Sequence, residues 1–88
     1  MKQLLTMVFS EAIQEAFGGD IDCDPAIQLS ARKEFGDYQA NFAMRLAKQL
    51  NKKPFDVATA VVDRLNNKEI FKKLEPSGPG FINIFLNE

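Results

Sequence analysis

Near the start of the chain apolar residues recur every three or four positions, at Leu4, Leu5, Val8, Phe9, Ala12, Ile13, Ala16 and Phe17. Gln3, Glu11, Gln14 and Glu15 fill the other side. That period predicts an amphipathic helix over residues 4–17. Gly18-Gly19 supplies the left-handed stop that ends helices. An acidic stretch, Asp20 to Asp24, then runs to Pro25, which cannot sit inside a central strand. Residues 26–31 change to strict alternation. Ile27, Leu29 and Ala31 point one way and Gln28 and Ser30 the other, the pattern of a short strand.

A basic turn, Arg32-Lys33-Glu34-Phe35-Gly36, comes next. Asp37 is placed to cap a second helix over residues 37–50, because its carboxylate can accept from the free amides of a first turn. Tyr38, Phe42, Leu46 and Leu50, with Ala43 and Ala47 beside them, form its apolar stripe. Asn51-Lys52-Lys53 breaks the pattern, and Pro54 suits the first position of a third helix. Val57, Ala58, Val61, Val62 and Leu65 give that helix its buried face, and Asn66-Asn67 closes it. Two helices so closely joined pack as an antiparallel hairpin.

The period then returns to two. Residues 70–75 read either as a strand beginning near Phe71 or as a last helical turn, with Leu74 and the approach to Pro76 favouring the strand. Ser77-Gly78-Pro79-Gly80 is a strong turn signal, and residues 81–86 form the clearest strand in the chain. The predicted order is helix, strand, helix, helix, strand, strand. This is an α+β layout, a small antiparallel or mixed sheet with its helices packed on one face.

Eighty-eight residues suit one domain, 1–88, with a small core. A composition of 45% apolar and 26% charged residues is that of an ordered globule. A single cysteine, Cys23, excludes an internal disulfide, and the absence of histidine removes the usual zinc sets and histidine-based triads. No apolar run is long enough to span a bilayer, so cytoplasmic residence is the expectation. The net charge of −1 is unevenly spread: residues 1–24 carry −4, and residues 25–75 carry +4. The middle of the chain could therefore meet a polyanion, although the whole would bind it weakly.

No catalytic set emerges. The carboxylates fall on helix exteriors or in the 20–24 loop. Asp20, Asp22 and Asp24 imitate half a calcium loop but lack its glycine and closing glutamate, so no metal is expected. Gly78-Pro79-Gly80 precedes a strand rather than a helix and is no phosphate loop. The last strand says more. Ile82, Ile84 and Leu86 share one face, and the helices should cover it. Phe81, Asn83 and Phe85 share the other, leaving a ring, an amide and a ring in a row toward solvent. A ring can stack on an unpaired base while an amide both donates to and accepts from its edge. The same pattern also fits a phenylalanine that fills the core and an amide that only pairs with a neighbouring strand. Arg32 and Lys33, just ahead of the expected helix start, could hold a phosphate or form a solvated loop; Asp37 would compete for the same amides.

Residues 36–47, Gly-Asp-Tyr-Gln-Ala-Asn-Phe-Ala-Met-Arg-Leu-Ala, preceded by Arg32-Lys33, resemble the signature of arginyl-tRNA synthetase amino-terminal domains. Residues 77–86, Ser-Gly-Pro-Gly-Phe-Ile-Asn-Ile-Phe-Leu, are similar to that family's closing hairpin, and Lys53-Pro54 fits between them. The resemblance implies a module ahead of a catalytic nucleotide-binding fold, reaching the outer corner of tRNA-Arg and its D-loop. The family's base-contacting positions fall on Phe81 and Asn83, with Ser77 a weaker carry-over. The whole enzyme would join arginine to tRNA with ATP. The ATP-binding class I signatures are missing from this chain, so no cofactor is expected within it. A fragment cut at a domain boundary, monomeric and non-catalytic alone, is the expectation. The rival is a structural or protein-interaction module that uses its aromatic sheet face.

Overall fold

The computed structural model describes every residue except Asp22, Asn67 and Glu88. The middle of the acidic triple and the second of the two asparagines after the third helix therefore lie outside the described residues. The elements are α1 (Lys2–Phe17), β1 (Ile27–Leu29), β2 (Tyr38–Ala40), α2 (Ala43–Leu50), α3 (Pro54–Leu65), β3 (Phe71–Ser77) and β4 (Phe81–Leu86). The four strands form one antiparallel sheet in the order β1-β2-β4-β3. The α+β class with helices on one face is as the patterning predicts, with one strand more than expected.

That extra strand is β2. Residues 38–40 fall within the second helix expected from sequence, yet Tyr38, Gln39 and Ala40 pair with Ile84, Asn83 and Ile82. Asp37 caps no helix. Its backbone N–H donates to the Ile84 carbonyl at 2.8 Å, and its carboxylate accepts from the Leu86 N–H at 2.9 Å. Helix α2 starts six residues later without a side-chain cap. The spacing was ambiguous because residues four apart share a face in a strand as well as in a helix.

A backbone approach shows why the strand wins. Gly36 has φ +95°, and a Cβ built on it would stand 2.6 Å from the Ile84 oxygen. Only glycine lets the chain come this close to β4.

The helices cover one side of the sheet. Leu5, Phe9 and Ile13 of α1, Val57, Val61 and Leu65 of α3, and Leu46 of α2 join Ile27, Ala40, Leu74, Ile82 and Ile84 in a single core. The Phe9 ring meets those of Phe42 and Phe71 edge-on, at centroid distances of 6.3 and 5.9 Å. Such pairs contribute about 0.5–1.5 kcal/mol each beyond their burial. Helix α1 ends at Gly18, with φ +111°, and Asn51 closes α2 in the left-handed conformation. Pro54 opens α3 as expected. Leu29 shares its face with Ile27 but is 74% exposed, because β1 is an edge strand and the helix layer does not reach it.

The β3–β4 turn is pinned to the helical hairpin. Gly80, buried with φ +124°, lies where a Cβ would be 2.9 Å from Pro54 Cβ and 3.2 Å from Ala43 Cβ. The turn closes through Gly80 N–H to the Ser77 carbonyl, at 3.2 Å. This contact fixes where β4 begins, and so where Phe81 stands.

Candidate nucleic-acid interface

Directly paired residues of an antiparallel ladder project from the same face. With Ile82 and Ile84 under the helices, Phe81, Asn83 and Phe85 must lie on the opposite side, and their partners identify the rest of that surface. Gln28 pairs with Gln39, Gln39 with Asn83, and Asn83 with Glu75. One polar side chain from each strand thus forms a row across the open face. Ser77 stands opposite Phe81 on one flank of the row, and Lys73 opposite Phe85 on the other.

The side chains in this row are linked. Gln39 Nε2 donates to Asn83 Oδ1 at 2.8 Å. Asn83 Nδ2 points to Glu75 Oε1 at 3.5 Å, the outer limit of a hydrogen bond. Glu75 Oε2 pairs with Lys73 Nζ at 3.0 Å. The hydrogen bond from Lys73, then that from Asn83, then the charge of Lys73 hold the Glu75 carboxyl below its ordinary value of 4.5. Asn83 is not open to solvent as alternation suggests. It lies on the side away from the helices but is only 2% exposed, being flanked by Gln39 and Glu75.

The two rings differ. Lys73 Nζ lies 5.2 Å from the centroid of Phe85, within cation–π range. Phe81 is half-buried, and a Cβ at Gly78 would touch its ring edge at 3.6 Å. Glycine at 78 therefore leaves that edge of the Phe81 ring clear.

The structure brings Phe81, Asn83 and Ser77 together. It leaves Arg32 and Lys33 apart. The basic turn precedes Asp37, which bonds to Ile84 and Leu86, whereas Phe81 begins β4 at its other end. Four or five strand residues separate the two regions, about 15 Å. The basic segment holds only a single 3-10 turn, Lys33–Phe35, and a strand follows it, so the α-helix expected to start at Asp37 is not there. Arg32 is instead paired with Glu34 at 3.3 Å, both exposed. Lys33 lines a surface cavity of about 530 Å³ with Met1, Leu29, Ser30 and Tyr38.

Gln39, Glu75 and Lys73 were not visible as site residues from sequence. Gln39 was hidden by the helical reading of residues 37–50, and strand pairing could not be inferred from one strand alone. The Lys73-Leu74-Glu75 alternation was the available signal.

A four-stranded antiparallel sheet with helices on one side and a ring-and-amide surface on the other defines a small α+β domain. The relatives agree on where such a domain occurs. Residues 3–86 match the family described as arginyl tRNA synthetase N terminal domain, and the chain belongs to that family. An arginine–tRNA ligase of Alteromonas mediterranea is 48% identical over 85 residues, spanning 97% of this chain and 14% of that protein. One from Haemophilus influenzae strain PittEE is 46% identical over 91% of this chain, again 14% of its own length. The arginyl-tRNA synthetase of Thermus thermophilus superposes with a TM-score of 0.80 at 25% identity, over 99% of this chain and 14% of that one. The Plasmodium falciparum enzyme superposes at 0.84 and 25% identity, over 98% of this chain and 16% of its own. The chain thus corresponds to about one seventh of the length of these relatives. Among the described residues no helix is long and apolar enough to cross a membrane.

Proposed function

We propose that residues 1–88 form the tRNA-holding module of an arginine–tRNA ligase and dock an unpaired D-loop base of tRNA-Arg on the open sheet face. Phe81 is the stacking platform, and the Asn83 amide meets the base edge. Ser77, across the ladder from Phe81, borders the same position. Arg32 and Lys33, about 15 Å along β4, meet a phosphate farther along the backbone. ATP and arginine are handled elsewhere in the longer cytoplasmic enzyme, next to whose catalytic domain this monomeric module sits.

The observation that carries this reading is the common placement of Phe81 and Asn83 on the helix-free face of β4. Stacking on an aromatic ring is worth about 1–3 kcal/mol per base, so one base gives a measurable share of binding. The test compares a tRNA-Arg transcript with the same transcript made abasic at the unpaired D-loop position. Affinity for this chain should fall about tenfold or more. Phe81→Ala should cause a similar loss, with little further effect on the abasic transcript, since both changes remove one contact. Equal binding of the two transcripts, or self-association that buries the face and ignores RNA, refutes base docking.

A further inference from the structure

The polar row raises a question that base docking alone leaves open: what decides which end of the Asn83 amide is donor and which is acceptor. A primary amide is close to symmetric in shape, and only its partners fix its orientation. Glu75, paired with Lys73 at 3.0 Å, is a carboxylate and can only accept. The Asn83 N–H2 therefore faces Glu75, because the reverse would bring oxygen against oxygen. Asn83 Oδ1 then faces strand β2, where Gln39 must offer its own N–H2, as the 2.8 Å contact shows. The same logic turns Gln39 Oε1 away from Asn83. Polarity set by one ion pair at the β3 edge is thus handed across three strands.

We infer that Gln39 and Glu75 are positioning residues that lock the Asn83 amide in one orientation and so set which base the open face prefers. This rests on the docking of a base at Phe81 and Asn83. The reason is steric as well as polar. Asn83 is 2% exposed, so a base reaches only the atoms its neighbours leave uncovered, and an amide free to rotate would offer either pattern. Held by Gln39 on one side and Glu75 on the other, it offers one. Bases that present an amino group at the contacted edge are then distinguished from those that present a carbonyl.

The experiment uses four tRNA-Arg transcripts differing only in the unpaired D-loop base, together with the abasic transcript. The readout is the ratio of affinities between amino-bearing and carbonyl-bearing bases, not affinity itself. Wild type should show a ratio of about tenfold, the scale of one neutral hydrogen bond. Gln39→Glu can only accept, so the Asn83 amide would face a carboxylate on each side, neither orientation would be favoured, and that ratio should be abolished. Gln39→Lys can only donate, and should keep the ratio despite its added charge. Glu75→Gln, on a half-exposed side chain, can donate or accept and should pull the ratio toward one even if the Gln39 variants fold poorly. The Asn83 side-chain amide resonances should move with Gln39→Glu and Glu75→Gln and stay near their wild-type positions with Gln39→Lys. If the abasic transcript binds as well as the rest, base docking itself fails. If the base matters but the ratio is unchanged in Gln39→Glu and Glu75→Gln, docking stands and the positioning role is overturned.

Discussion

Gly36 and Gly19 show how differently one residue type can be constrained. Gly36 combines φ +95° with a prospective Cβ 2.6 Å from the Ile84 oxygen, while Gly19 has nothing within 4 Å. Gly36→Ala must therefore push β2 off β4 or strain the backbone, at a cost of about 1–3 kcal/mol. Gly19→Ala should stay within about 0.5 kcal/mol. Urea denaturation of the two variants measures this, and equal midpoints would show that the close approach is not required. Glu75 makes a second prediction at this scale. Its carboxyl titrates below its ordinary 4.5 in the fold, so the interaction favours the folded state above that value and is lost as pH falls through the lowered one. The Asn83 side-chain resonances should follow this titration with a midpoint below 4.5, and a midpoint above it would contradict the pairing.

Among the elements, helices α1 and α3 were legible because three- and four-residue spacing over more than ten residues admits no competing period. Strand β4 was legible for the converse reason: Ile82 and Ile84 alternate with Phe81, Asn83 and Phe85 between a glycine-proline turn and the end of the ladder. Strand β2 was not. Tyr38 and Phe42 are four apart, a spacing common to both periods, and only pairing with β4 resolves it. The side-chain chemistry of Asp37 suits a cap, yet the carboxylate serves the ladder by accepting from Leu86. The two roles separate in one variant. Asp37→Ala should cost about 1 kcal/mol and speed hydrogen exchange chiefly at the Leu86 amide. Faster exchange at Ala43 and Met44 would instead restore the capping role. For the site, alternation correctly grouped Phe81 with Asn83. It missed that Asn83 is covered, because the covering atoms come from Gln39 and Glu75 on strands whose register only the fold supplies.

At the scale of the whole molecule, the two faces of the sheet divide the labour. One face meets the helices through Phe9, Phe42 and Phe71 and holds the domain together; the other carries Phe81, the amide row and the Lys73–Glu75 pair. Gly80, wedged against Ala43 and Pro54, joins the two halves by fixing where β4 leaves the turn. A helical layer on one side leaves the opposite face available to a large polyanion without disturbing the core. A net charge of −1 leaves local contacts, rather than long-range attraction, to supply much of the affinity. The most direct measurement is a titration of the chain with tRNA-Arg, followed by nuclear magnetic resonance at low salt. Signals of the Phe81 ring, the Asn83 and Gln39 side-chain amides and the Ser77–Gly78 backbone should shift together, while those of Glu11, Gln14 and Glu15 on α1 stay in place. Shifts confined to α1, or none on β4 at saturating RNA, would contradict docking on the open face.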